Sequence, residues 1–349
     1  MKIIFISIIF LIITNLVYAE LPISVKIKMY ETYMDNVFQT SEPDSDYVTL
    51  LYVDLDYAIE QNTSITYSSN ANLFYRYKDL HNQAHYLSLE HEKNLLKYKG
   101  NLYFGVGLGL RDNQNLYSYY DHLLAGSYIG VKYYFTDTTF GQIEYQIDLK
   151  NYQNYSTYNS LENYGYLLLS KSIQATRTTI QTRIDLGRRN YTSNIGDKNH
   201  IDQVTGTIKM AQSLSDRTGL QLMYSQHHAS SFPFEDSPIQ DYYTNEFEDD
   251  YNYSGREISL TLKHITLWDL SLKGSLIRKS KLFNMHYFGT DEQAREDNNT
   301  DVLLEVEKRF SSFNNISLHL EFLHRKNNSN NQFYDSSTSM FSTGMRVAF

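Results

Sequence analysis

The chain of 349 residues contains no cysteine. That excludes a disulfide scaffold, a lipid-modified Cys at a mature N-terminus, a structural Cys-zinc site and a Cys nucleophile. Proline is scarce, four in all, and there is one tryptophan. Only residues 3–17 come near the roughly 20 apolar residues of a helical span, and the mean hydropathy is −0.48. A polytopic helical membrane protein is therefore excluded. What is abundant is aromatic: 32 tyrosines and 18 phenylalanines, in a chain otherwise rich in Asn and Ser. Much tyrosine with little proline points to strands with wetted ends.

The first residues read as an export signal. Lys2 is the positive head, Ile3 to Val17 the apolar stretch, and Val17-Tyr18-Ala19 a small-residue cleavage site. The expected division is a cleaved signal peptide over 1–19 and a single domain over 20–349, with an uncleaved N-terminal anchor as the alternative. The formal charge is −9. An acidic chain argues against nucleic acid as a partner.

Beyond residue 20 no segment keeps a helical period, whereas two-residue alternation recurs from end to end. Leu51, Val53, Leu55, Tyr57 and Ile59 fall on one face, with Tyr52, Asp54, Asp56, Ala58 and Glu60 on the other. Ile143, Tyr145, Ile147 and Leu149 stand opposite Gln142, Glu144, Gln146, Asp148 and Lys150 in the same way. Leu102, Phe104, Val106, Leu108 and Leu110 alternate with Tyr103, Gly105, Gly107, Gly109 and Arg111.

A soluble sandwich would also alternate. The connections decide. Short ones, such as 61–64, 136–139 and 214–218, alternate with longer polar ones, the longest at 228–251. This asymmetry is expected of an outer-membrane barrel with both termini on the periplasmic side, which needs an even strand number. The fold class expected is all-β: a transmembrane antiparallel up-and-down β-barrel of about sixteen strands, with fourteen to eighteen open because strands near 84–95, 163–173 and 219–227 are weakly marked. The first strand is expected over 23–38 and the last over 339–349. Phe341, Met345, Val347 and the terminal Phe349 share one face, as in the final strand read by the outer-membrane barrel assembly machinery.

Lipid offers a backbone no hydrogen-bond partner, so a sheet at membrane depth must close on itself. The leucine, valine and isoleucine faces then point to lipid. A basic residue there at mid-depth would cost about 2–4 kcal/mol, an acidic one somewhat less. The pore-lining candidates are therefore Asp54, Asp56, Lys132, Glu144, Asp148, Arg183, Lys263, Lys273, Glu305, Glu307, Glu321 and Arg346, a lining of mixed sign. Tyr133, Tyr134, Phe135 and Trp268 fit the aromatic girdle at head-group level.

Other constellations compete with ordinary surface readings. His227-His228 opens the longest connection beside Glu235, Asp236, Asp241, Glu246, Glu248, Asp249 and Asp250, a set of carboxylates able to hold a divalent cation or to form a solvated acidic lid. Neither an EF-hand nor a His-Glu-x-x-His spacing occurs, so no metal site is assigned and no cofactor is expected. Ser317, His319 and Glu321 are spaced like a catalytic set, but spacing of two is what any polar strand face gives, and no Gly-x-Ser-x-Gly elbow is present. No enzyme is expected. Arg188-Arg189 suits lipopolysaccharide phosphates or lumen carboxylates. Tyr117, Tyr119, Tyr120, Tyr152, Tyr155 and Tyr158, set among Asn and Ser, could stack on sugar rings.

At Tyr33-Met34-Asp35-Asn36-Val37-Phe38-Gln39-Thr40, followed by Asp44-Ser45-Asp46-Tyr47-Val48-Thr49-Leu50, the sequence resembles the opening of the beta-barrel porin family that includes barrels encoded in exopolysaccharide loci. Met34 stands where that pattern has its first acidic residue. The resemblance implies a porin-like barrel, in some members tied to polysaccharide export, and carries no catalytic residue. Barrels attached to tetratricopeptide domains in polysaccharide secretion look similar in their last strands, but this chain has no such helical domain.

The sequence thus predicts a porin-like channel for polar solutes or exopolysaccharide in a Gram-negative outer membrane, in contact with outer-membrane lipid and lipopolysaccharide. The alternatives are a surface adhesin or receptor displaying long loops, or an outer-membrane hydrolase.

Overall fold

A computed structural model describes residues 22–95, 99–195, 198–230, 253–283, 294–310 and 316–349. Residues 1–19, expected to be a signal peptide, and the acidic stretch 235–250 lie outside the described residues. Sixteen antiparallel strands follow one another: β1 (Ile23–Met34), β2 (Asp46–Glu60), β3 (Thr63–Phe74), β4 (Asn82–Leu95), β5 (Gly100–Asn113), β6 (His122–Thr136), β7 (Thr139–Tyr152) and β8 (Ser160–Ile173). The second half comprises β9 (Thr178–Ile195), β10 (Lys198–Ser215), β11 (Thr218–Ala229), β12 (Tyr253–Ile265), β13 (Leu270–Phe283), β14 (Glu296–Phe310), β15 (Ile316–Ser329) and β16 (Ser336–Ala348). Each pairs with its sequence neighbours, and β1 pairs with β16, so the sheet closes and leaves no edge. Among the described residues no helix is long and apolar enough to cross a membrane.

Ladder registers carry the alternation around the wall. Phe104 faces Ile129, Ile143 faces Leu167, Leu167 faces Ile184, and Leu260 faces Leu276. Strand parity therefore puts one continuous apolar face on the outer wall, where Leu108 is 65% and Ile143 62% exposed. Hydrophobic side chains left that open on a folded chain mark a wall in contact with something other than water. Tyr133 and Phe135 pack edge-on at 5.2 Å on this wall, beside the short turn at 137–138, and Trp268 projects from the turn before β13. Tyr134 turns inward instead, under the Lys132 ammonium.

One end of the barrel carries Pro22, Phe349 and short turns such as 61–62 and 137–138; the other carries most of the longer connections and the tip of the β9–β10 hairpin. Strands of 12 to 18 residues exceed the roughly 10 that cross a bilayer at about 45°, and the longest, β9 and β10, are adjacent. At that end Tyr152, Tyr158, Tyr191, Ile201 and Ala229 form a small buried cluster with Tyr155 packed on it.

The segment carrying the family resemblance is a latch across the closing seam. β1 stops at Met34, short of the expected residue 38, because the chain turns there. Asn36, 1% exposed, donates to the Thr40 carbonyl at 2.7 Å and to the Ser337 carbonyl at 3.2 Å. The Asp35 carboxylate accepts the Ser339 amide at 2.6 Å. On the other side Asp46 accepts the amides of Tyr47, Arg76 and Tyr77 at 2.7, 2.9 and 3.0 Å. The motif therefore fastens β16 to β1 and the first loop to the second.

Candidate functional site: the barrel interior

Parity places all twelve charged candidates on the inward face. Lys26 meets Asp56 at 3.6 Å and Lys28 meets Asp54 at 3.9 Å between β1 and β2. Lys273 meets Glu305 at 2.6 Å, and Glu321 lies opposite Glu305 across β14 and β15, with Glu307 one inward step away. Arg183 bonds Asp185 at 2.7 Å and lies 3.8 Å over the Tyr166 ring. Lys132 sits over Phe140 at 4.4 Å. Arg346 and Lys263 point inward near the turn end, and Asp148 accepts an amide hydrogen bond from Gln146 at 2.7 Å. Most of these pairs are half exposed, so each contributes about 1 kcal/mol or less to stability. Their effect is to cancel charge along the wall.

Sequence reasoning set Tyr52 and Tyr103 on the polar face but counted no tyrosine among the pore-lining residues. Tyr30, Tyr52, Tyr86, Tyr103, Tyr128, Tyr164 and Tyr166 all share the inward parity. Several lie flat because a glycine stands beside them. Gly130 is paired with Tyr103, Gly105 with Tyr128 and Gly344 with Tyr30, and in each case a side chain at the glycine would overlap the ring. Aromatic cover of a wall glycine packs the ring on backbone and leaves the hydroxyl free to bond. Glu144 accepts hydrogen bonds from Tyr103 at 2.8 Å and Tyr166 at 3.0 Å, and the Gln142 amide donates to both phenols. The signal available in the sequence was the glycine run 105, 107, 109 on the inward parity of β5.

Higher on the wall the interior forms a recess of about 330 Å³ lined in part by Tyr164, Gln203, Thr205, His227, Tyr253 and Lys281. Two carboxylates of its lining are paired, Glu257 with Lys279 at 3.3 Å and Asp185 with Arg183 at 2.7 Å. His227 donates or accepts at Thr205 and packs on Tyr253 at 4.6 Å. His228 faces the outer wall and contacts Ser254, so the adjacent histidines point to opposite sides and cannot share a ligand.

Other sequence candidates separate likewise. Arg189 turns inward to Glu162 at 2.8 Å, both buried, whereas Arg188 turns outward and grips Asp202 at 2.5 and 3.1 Å. His319 packs edge-on to Tyr30 at 5.5 Å, with Ser317 and Glu321 on the same inward face. Among the loop tyrosines, Tyr120, Tyr152 and Tyr158 are buried and hold the loops together. Burial also raises the Tyr155 phenol above its ordinary pKa. Tyr117 and Tyr119, 6.0 Å apart, belong to the Asn115–Tyr120 turn.

No family sequence model and no curated protein sequence matches the chain. Solved structures do. The outer membrane protein OpdK from Pseudomonas aeruginosa superposes with a TM-score of 0.54 at 9% identity, covering 94% of this chain and 98% of its own. OpdQ from Pseudomonas aeruginosa gives 0.54 at 10% identity, covering 95% and 99%. A bacterial polysaccharide outer membrane secretin gives 0.55 at 9% identity, covering 93% and 98%. Along nearly its whole length the chain has the fold of an outer-membrane β-barrel.

Proposed function

We propose that this chain is a porin-like channel of a Gram-negative outer membrane, passing polar, hydroxyl-rich solutes or polysaccharide, without enzymatic activity. The observation that carries the reading is the contrast between the two faces of one closed sheet. Outside it is leucine, isoleucine and valine; inside it is paired charge, amide and tyrosine hydroxyl. A barrel of this strand number encloses an aqueous interior unless loops fill it. Residues 1–19 would direct export and be removed. The short-turn end would face the periplasm, and Phe341, Met345 and Val347 on the outer wall of β16, with Phe349 just beyond its end, would serve the assembly machinery.

Charge cancellation along the wall gives weak ion selectivity, and tyrosine faces with hydroxyl and amide groups suit sugar rings better than ions. Refolded protein in planar bilayers should give discrete conductance steps with a reversal potential near zero in a potassium chloride gradient. Absence of steps, also after deletion of residues 229–249, refutes the channel.

A further inference from the structure

Arg188 was the sequence's candidate for lipopolysaccharide phosphate, but Asp202 neutralises it. A different part of the outer wall carries cations without that neutralisation. Arg256 on β12, Arg278 on β13 and Lys326 on β15 are exposed and have outward parity, sharing it with Ile258, Leu260, Leu276 and Phe322. The registers assemble them. Arg278 faces Thr300, and Thr300 faces Lys326, so two strand spacings of about 4.8 Å put the two cations' backbones about 10 Å apart. Arg256 faces Ser280, which places it diagonally beside Arg278 at roughly 7–8 Å.

Between the three lie outward Ser280, Asn298 and Thr300, all able to donate hydrogen bonds. None of the three cations forms an ion pair among the described residues. The outward carboxylate nearest by register, Glu296, stands one step further toward the loop end, where it bonds Asn298. Immediately toward the turn end the same wall becomes apolar, through Leu260, Leu276 and Val302.

We propose that this outer-wall patch binds the phosphates of an anionic glycolipid in the leaflet on the loop side, with the lipid's acyl chains lying along the apolar wall beneath. This rests on the membrane reading above. The chemistry follows from position. A cation cluster at the upper border of an apolar wall stands at head-group level, where its charge is met by a headgroup anion rather than by hydrocarbon. Two arginine forks match phosphate oxygens in paired hydrogen bonds, and the lysine adds a point charge. Serine, threonine and asparagine donors complete a surface suited to an anion with several acceptors.

The test uses the full chain folded in neutral detergent, titrated separately with diphosphoryl lipid A, its dephosphorylated form, phosphatidylcholine and inorganic phosphate. The readout is the temperature at which the barrel loses its folded, SDS-resistant mobility. Diphosphoryl lipid A should raise that temperature, and the triple variant R256S/R278S/K326S should need at least about tenfold more of it for the same rise. Lys171→Ser, an outward lysine at the turn end, should behave as wild type. Equal response of the triple variant, an equal rise from the dephosphorylated lipid or phosphatidylcholine, or full competition by inorganic phosphate overturns the proposal. Circular dichroism of the variants confirms that they fold, and bilayer conductance of the same samples reports separately on the membrane reading.

Discussion

Gly105 lies directly opposite Tyr128 on the inner wall, and a Cβ at position 105 would stand 2.6 Å from the Tyr128 ring. The ring can rest on the sheet only because the side chain is missing. Gly105→Val should force the ring off the wall and destabilise the barrel by about 1–3 kcal/mol, the usual range for overpacking. Urea midpoints of the folded band measure the loss, and Tyr128→Ala in the same chain should recover most of it.

The seam latch makes a second prediction. Asn36→Ala removes the amide that bonds the Thr40 and Ser337 carbonyls and leaves those acceptors under a buried turn. A loss of about 1–3 kcal/mol is expected, appearing as a lower unfolding temperature in SDS. A stability equal to wild type would show that the turn is held by the β1–β16 ladder alone.

Lys273 and Glu305 test the interior charge. Glu305→Gln should change stability by less than about 1 kcal/mol, because the pair is partly exposed, yet it removes one negative charge and the ion-pair partner of Lys273 from the lumen. The reversal potential should move toward anion preference, and Lys273→Gln should move it toward cations. Unchanged reversal potentials in both variants would mean that ions do not pass this wall.

Arg295 and Asp297 form a pair that is 2% exposed on both sides, and Arg295 is covered by the rings of Phe283 and Tyr334. Breaking it with Arg295→Ala strands a buried carboxylate and should cost about 3–5 kcal/mol. Adding Asp297→Asn should return part of that, as read from urea unfolding.

Strand number and facing were legible in the sequence because an apolar exterior against a polar interior enforces strict alternation, and Leu51 to Ile59 or Ile143 to Leu149 cannot be shifted by one residue without inverting every side chain. Even the weakly marked strands at β4, β8 and β11 have their expected places. Element ends were less legible: β1 ends at Met34 because Asn36 needs Thr40 and Ser337, and the second of these is at the far end of the chain. Partner choice was hidden for the same reason. Alternation alone splits Arg188 from Arg189, but only the register shows that one meets Asp202 and the other Glu162. The packing of Tyr30, Tyr103 and Tyr128 was not legible, because their fit to Gly344, Gly130 and Gly105 depends on pairing between strands.

The absence of cysteine allows the central claim to be tested one position at a time. Single cysteines placed along β7 at 143, 144, 145, 146, 147 and 148 can be probed in reconstituted vesicles with a water-soluble, membrane-impermeant maleimide. The account predicts rapid labelling at 144, 146 and 148 and protection at 143, 145 and 147. Uniform labelling along the strand, or protection at every position, would contradict a wall with lipid on one face and water on the other.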